Sequence, residues 1–280
     1  MLLDPIQQKK LTDKLNDSST VAISFDLGFS NQEVNVDTAH FYFPDARKIP
    51  LPNTDLFDLK DLRTILRFNG TTWEKWQRFD EQTGKFYKMI FVEEGKPPTV
   101  EISGIKMHVT QNGNPKMDTA NKIRSLGTVY GNVLDCCFGL GYTAIALAKL
   151  PQVPQVVTIE RDQNMISLAK ENPWSQDVFQ SEKIVLRKGD TSQLIGGFDE
   201  NSFSTILHDP PRFALAPELY EIAFYEHCHR ILQNKGKLYH YTGDPNKSRG
   251  KGLAEKTLKR LRAAGFRKTK KAYQGVWAQK

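Results

Sequence analysis

The sequence predicts an α/β protein: a mostly parallel, doubly wound sheet preceded by a smaller N-terminal α+β domain. Three observations carry that prediction. After Lys116, apolar strand-like segments alternate with helical ones, and repeated strand–helix units imply parallel pairing with helices on both faces. Before Pro115 the segments are shorter and mixed, with strand-like alternation at Val34 and Val36 and at Phe41 and Phe43. Gly113-Asn114-Pro115 is the best break between the two patterns and divides the chain into 1–115 and 116–280. A chain of 280 residues suits one large domain or two smaller ones.

In the N-terminal part, a short helix gives way to a strand around Val21–Phe25. Prolines at 44, 50 and 52 break the next stretch. Thr54 or Asp55 caps an expected helix over Leu56–Arg67, with Leu59, Leu62, Ile65 and Leu66 on one side. Trp73–Phe79 and Phe86–Val92 flank Thr83-Gly84 as a hairpin, and Val100–Val109 reads as a further strand.

In the C-terminal part, strands are expected at Val133–Cys136, Gln155–Glu160, Lys183–Arg187, Phe203–His208 and Gly236–Tyr241. Helices follow over Tyr142–Leu150, from Asp162 to Asn172 and over Pro217–Gln233. A last, basic helix stops at Gly265, and Tyr273–Ala278 reads as a final strand. Ligands of such sheets sit beyond the carboxyl ends of the strands.

Composition excludes several classes. A charged fraction of 25% with 39% hydrophobic residues argues against disorder. No apolar run reaches membrane-helix length, and the polar stretch Met1–Asn16 does not read as a secretory signal. Three cysteines without a C-x-x-C pair argue against a disulfide scaffold or structural zinc, so a reducing cytoplasm fits best. The scattered histidines lack a spaced carboxylate or cysteine partner, and no metal is expected. The formal net charge of +7 raises nucleic acid as a partner. The whole excess lies in the segment Lys247–Lys271, where helical spacing puts Leu253, Leu258 and Leu261 inward and Lys251, Lys256, Lys259, Arg260 and Arg262 outward. That segment is either the wet side of a helix or a phosphate-contacting patch.

Phe138-Gly139-Leu140-Gly141-Tyr142-Thr143-Ala144 follows the first strand and opens a helix. Gly139 permits a tight turn, and Gly141 lets backbone approach a ligand. The G-x-G-x-x-A match invites a dinucleotide. Asp135, four residues before the first glycine, argues otherwise: a carboxylate there crowds a pyrophosphate but pairs with an ammonium group. Glu160 ends strand two, where a carboxylate accepts both hydroxyls of a ribose diol, and Asp190 ends strand three within reach of an adenine amino group. An adenosine with a positively charged, phosphate-free tail satisfies all three, and S-adenosylmethionine has that shape.

These residues, with Asp209-Pro210-Pro211, resemble motifs I to IV of the class I, Rossmann-like S-adenosylmethionine-dependent methyltransferases. Longer strings resemble a largely archaeal family of predicted methyltransferases. They are the loop Gly139–Ile145, Asn172-Pro173-Trp174-Ser175, His208-Asp209-Pro210-Pro211-Arg212-Phe213, Glu218-Leu219-Tyr220, Phe224-Tyr225 and His240-Tyr241-x-Gly243-x-Pro245. Upstream, Ser103–His108 and Asp118-Thr119 with Lys122 extend the likeness; the first hundred or so residues resemble no named family. The resemblance implies a fold and a cofactor, not an acceptor. It implies that Gly139 and Gly141 line the methionine moiety, with Phe138, Tyr142 and Thr143 of the same loop and Asp118 upstream. Asp135 would face the amino group, Glu160 with the adjoining Arg161 the ribose, and Asp190 the adenine.

His208-Asp209-Pro210-Pro211-Arg212-Phe213 ends strand four. Two prolines fix the backbone and remove two N–H donors, leaving carbonyl oxygen and the Asp209 carboxylate as acceptors. Acceptors without donors suit an amino group that gives up a proton, and the run resembles the Asp/Asn-Pro-Pro-aromatic motif of amino-methylating enzymes. Asp209 and Pro210 are therefore the reaction-centre candidates. Arg212 stands where that motif has its aromatic residue, which argues against base flipping; it can stack on a base or pair with an anion. His208 is either a proton-handling group or a packed strand residue. Cytosine carbon-five chemistry needs a cysteine near strand four or five, and none is there.

The expected function is methyl transfer from S-adenosylmethionine to an amino nitrogen in RNA, with RNA gripped through Lys247–Lys271. The alternative is methyl or aminopropyl transfer to a small-molecule amine or polyamine. A nicotinamide enzyme is disfavoured by Asp135, and a non-catalytic scaffold by the intact Asp209. No membrane partner is expected, and the oligomeric state is open.

Overall fold

Runs such as Val156–Ile159 and Phe203–His208, buried along their whole length, demand a sheet covered on both faces. The computed structural model describes residues 1–14, 19–57, 61–243 and 252–280. The chain divides into two compact units, Met1–Lys116 and Met117–Lys280.

The N-terminal unit holds small antiparallel sheets. One pairs Ser19–Ile23, Gln32–Val36, His40–Tyr42 and Lys48–Pro50 in sequence order; another joins Gln77–Asp80, Lys85–Ile90, Thr99–Ile102 and Ile105–Lys106. A third sets Leu66–Phe68 between Leu2–Leu3 and Trp73–Lys75. Phe25, Phe41, Phe43 and Trp73 pack with Leu66 in the core. Two expectations fail here. Among the described residues of Leu56–Arg67 no helix is formed: a 3-10 turn covers Thr54–Leu56, and Leu66 pairs with Leu3 and Lys75 as a strand. Leu59, which it also invoked, lies outside the described residues. The predicted strand Val100–Val109 is a hairpin, because Ser103 and Gly104 both take positive φ (46° and 80°) and reverse the chain.

The C-terminal unit opens on α1 (Pro115–Leu126), whose first residues straddle the division. It continues with β1 (Val133–Asp135), α2 (Tyr142–Ala148), β2 (Val156–Glu160), α3 (Gln163–Glu171), β3 (Ile184–Lys188), β4 (Phe203–His208), α4 (Ile222–Ile231), β5 (Leu232–Tyr241), α5 (Leu253–Ala263), β6 (Lys268–Ala272) and β7 (Gly275–Gln279). The sheet order is β3-β2-β1-β4-β5-β7-β6. The first five strands are parallel; β7 runs antiparallel to both β5 and β6. Strand order reverses between β1 and β4, so a crevice is expected beyond their carboxyl ends, where Asp135 and His208-Asp209 sit.

The basic segment is a helix followed by a strand. α5 ends at Ala263, close to the stop expected at Gly265; Lys268–Ala272 is the edge strand, and the predicted final strand pairs between it and β5. Lysines at 268, 270 and 271 suit an edge, where charge deters pairing with another chain. α5 does bury Leu258 and Leu261, a gain of about 1.5–3 kcal/mol each. The expected helix Pro217–Gln233 is a 3-10 turn over Pro217–Tyr220 followed by α4, and β5 starts directly at Leu232. Residues inserted between Leu232 and Lys237 shift the β4–β5 register; Lys235 there has φ 63°, and a Cβ on Gly236 would lie 2.7 Å from the Gln233 carbonyl oxygen.

Candidate active site

The loop after β1 turns on two glycines with different reasons. Gly139 (φ 57°) has open space where a Cβ would project, and is the place where a ligand can approach backbone. Gly141 (φ 78°) is tight: a Cβ would lie 2.5 Å from the Phe138 ring and 2.6 Å from Val178. Of the two glycines expected at the ligand, Gly139 has the open side and Gly141 is packed. Phe138 (2% exposed) and Tyr142 are buried. Asn172 donates to the Tyr142 hydroxyl (2.8 Å) and to Ser175 Oγ (2.8 Å), and Ser175 donates to the Leu140 carbonyl (2.7 Å). The Asn-Pro-Trp-Ser string is thus the brace of the glycine loop.

Glu160 ends β2 and bonds back to that loop. Its Oε2 accepts from the Gly139 N–H (3.0 Å) and its Oε1 from the Asp162 N–H (2.8 Å). A carboxylate has about four lone-pair positions, so each oxygen keeps capacity for a hydroxyl. Burial pushes the group up to about 7, against the pull of the two amides.

Asp135 is fully buried. Its Oδ2 accepts from Thr143 Oγ1 (3.1 Å) and Thr158 Oγ1 (3.0 Å), while among the described residues its Oδ1 has no partner. Burial pushes it up to about 8, more than the two hydroxyls pull it down. A buried acceptor left open is expensive, and a ligand ammonium group would satisfy it. In the sequence Thr143 is legible only as a residue of the glycine loop, and Thr158, inside an apolar strand, carries no signal.

These shifts set a pH dependence. Both carboxyls titrate above their unfolded values of about 4, so the folded chain holds protons that the unfolded chain releases. Stability should fall as pH rises from about 4 through 8. Asp135→Asn should flatten the upper part of that slope; thermal melts from pH 5.5 to 8.5 check it, and an unchanged slope would place the proton elsewhere.

Asp190 is already committed. It caps the helical turn Thr191–Leu194 through Ser192 N–H (2.9 Å) and Ser192 Oγ (2.7 Å), and pairs with Arg161 at 3.0 Å. Burial pushes its carboxyl up, but those bonds outweigh it and hold the group below its ordinary value. Arg161 also reaches Glu218 at 3.6 Å. The two expected ligands, Asp190 and Arg161, therefore hold each other.

Beyond β4, Asp209 keeps 19% of its side chain exposed and lies 2.6 Å from the Lys122 ammonium. That overturns the expectation of acceptors without donors. Lys122 is buried, bonds Asp118 of its own helix at 2.8 Å, and lies 4.9 Å from the Tyr241 ring centroid. Tyr273 donates to the other Asp118 oxygen (3.1 Å). Asp118, expected with the cofactor, shares Lys122 with Asp209. The Pro211 carbonyl accepts from the Tyr220 hydroxyl (2.8 Å), so of the two proline carbonyls it is Pro210's that stays a candidate acceptor. His208 is a core residue, the second of its two readings. It is 0% exposed, with Nε2 at 3.0 Å from the Leu219 carbonyl and its ring against Phe224 and His240. Burial lowers it to about 4, leaving it neutral. Arg212 is exposed, and Phe213 (40% exposed) packs edge-on against Tyr220. Arg260, expected to face outward, donates to the Tyr220 carbonyl (2.8 Å) and lies 5.9 Å from the Phe213 ring.

The strand order, the glycine turn and the strand-end acids define the Rossmann-like fold of class I methyltransferases. Solved structures agree. The chain is similar to a spermidine synthase in complex with the transition-state analogue AdoDATO (TM-score 0.60, 17% identity, 75% of each chain). It is also similar to the spermidine synthase of Thermotoga maritima (TM-score 0.57, 18% identity, 75% of this chain and 74% of that one) and to MnmC2 of Aquifex aeolicus (0.51, 16%, 69% and 70%). Identities this low establish the fold alone. No family model matches the sequence. An uncharacterized protein of Methanocaldococcus jannaschii is 44% identical over 183 residues, 64% of this chain; the match spans 62% of that relative's length.

Proposed function

We propose that the chain transfers a methyl group from S-adenosylmethionine to an amino nitrogen. The observation that carries this is the placement of Asp209, partly exposed and ionically paired, beyond β4 and beside the switch point that holds the open oxygen of Asp135. The donor, when bound, supplies an electrophilic methyl on a sulfonium. Asp135 would hold its ammonium group, Glu160 its ribose, and the open face of Gly139 its chain. Asp209 and the Pro210 carbonyl would hold the acceptor N–H groups so that the lone pair points at the methyl carbon; alignment of this kind supplies most of the help in such a displacement. The nitrogen–carbon bond forms as the carbon–sulfur bond breaks, and the amine's proton leaves through Asp209 or water.

For the acceptor, RNA is the first reading. Lys256, Lys259 and Arg262 of α5 and Lys268 of β6 are exposed, and Arg260 ties that helix to the chain that follows Pro211. Lys247, Arg249 and Lys251 lie outside the described residues. A small cationic amine is the second reading, favoured by two carboxylates, Asp118 and Asp209, on one buried ammonium, Lys122, with the Asp135 carboxyl beside them. The chain is proposed to work in the cytoplasm, where free thiols such as Cys136, Cys137 and Cys228 stay reduced.

Calorimetry should show S-adenosylmethionine binding and no binding of NAD; the reverse would sink the cofactor assignment. Radiolabelled methyl transfer to fractionated extract of a strain lacking the protein then separates the acceptors. Label in RNA supports the first reading, label in a small amine the second, and label in protein alone would refute both.

A further inference from the structure

We infer that Lys122 is the positioning residue of the acceptor-facing carboxylate, holding Asp209 charged and turned so that one oxygen stays open to the acceptor. The inference rests on the reading above only in assigning Asp209 to the acceptor.

A buried ammonium group costs several kcal/mol unless it is fully paired. Lys122, 2% exposed, meets that demand with Asp118 Oδ2 at 2.8 Å, Asp209 Oδ2 at 2.6 Å and the face of Tyr241 at 4.9 Å. The two carboxylates are not equivalent. Asp118 shares a helix with Lys122 and its second oxygen is held by the Tyr273 hydroxyl. Asp209 is held through one oxygen, by Lys122, and among the described residues Oδ1 has no protein partner. Pro210 fixes the backbone at this point; Lys122 fixes the side chain. The separation of 87 positions between the two partners explains why no local motif announces the pair.

The charge state follows from the same geometry. Asp209 is faced by Lys122 and Asp118 of α1, by Asp135 of β1 and by Cys137 of the loop after it. Tyr220, and Tyr239 and Tyr241 of β5, complete its surroundings. Burial holds the thiol and the three phenols neutral well above pH 7 and pushes Asp135 up to about 8, so Lys122 and Asp118 are the groups whose charges act on Asp209 as it titrates. One of those two is a carboxyl. Without Lys122, Asp209 would be a partly desolvated acid beside the like charge of Asp118 and would hold its proton to a higher pH. It would then offer an O–H in place of the open anion.

The test is a carboxyl carbon-13 NMR titration of the full chain labelled at aspartate, with the Asp209 signal assigned through Asp209→Asn. It needs neither donor nor acceptor, so its outcome is independent of whether transfer is ever found. In Lys122→Met the Asp209 midpoint should rise by about one to three pH units, the size expected when an adjacent opposite charge is removed; in Lys122→Arg it should return most of the way. Asp118→Asn should move the midpoint downward, because it removes a like charge and leaves Lys122 to Asp209. An unmoved midpoint in folded Lys122→Met would overturn the inference. If Lys122→Met does not fold, Asp118→Asn decides alone: a fall supports the role, and an unmoved or raised midpoint refutes it.

Discussion

Asp209→Ala should lower the transfer rate by about a hundred- to ten-thousand-fold, the range lost with a positioned acid–base group, while the affinity for S-adenosylmethionine stays within a few fold. The structure allows the two effects to separate. Asp209 lies beyond β4 with its carboxylate on Lys122, whereas the groups assigned to the donor sit on β1, the glycine loop and β2. The substitution should also leave a folded protein, because Lys122 retains Asp118 at 2.8 Å. Single-turnover kinetics with the labelled acceptor fraction, beside calorimetry with the donor, measure both quantities. Wild-type rates in Asp209→Ala would move the chemistry away from the Asp-Pro-Pro segment.

Gly141→Ala is the second large effect, and it falls on stability. An alanine there must hold φ 78° and place its Cβ 2.5 Å from the Phe138 ring and 2.6 Å from Val178. Strain in the left-handed region and overpacking together cost about 2–5 kcal/mol. For a unit of this size that corresponds to a fall in melting temperature of roughly 4–20 °C. Gly139→Ala is the control with the opposite profile. It also needs positive φ (57°), but its methyl meets nothing within 4 Å, so it should cost about 1–2 kcal/mol and weaken donor binding by filling the open face. Thermal melts and calorimetry on the two variants separate packing from ligand approach. Equal melting temperatures would show that the crowding at Gly141 relaxes freely.

Much of the site was legible because its signals are local. Asp135, Gly139, Gly141, Glu160 and Asp209 each stand at a strand end or in the turn that follows, and in a parallel sheet all such ends share one edge. The Asp162 cap of α3 and the buried runs of β2 and β4 were readable for the same reason. Where local pattern and long-range pairing competed, pairing won. Leu62, Ile65 and Leu66 stand at helical spacing, yet Leu66 enters a sheet with Leu3 and Leu62 is 64% exposed. Lys268–Ala272, a basic stretch past the expected helix stop at Gly265, pairs with β7 as the edge strand of the sheet.

The order of the C-terminal strands' signatures, the glycine turn and the acids beside it can be read along the chain, since each depends on neighbours a few positions away. What those acids are bonded to depends on the folded arrangement. Asp209 meets Lys122 across 87 residues, Arg260 meets the Tyr220 carbonyl across 40, and Asp118 meets Tyr273 across 155. Those pairings follow from which strands and helices pack side by side. A buried charge must find a partner wherever the fold brings one within reach, and no spacing along the chain records where that is.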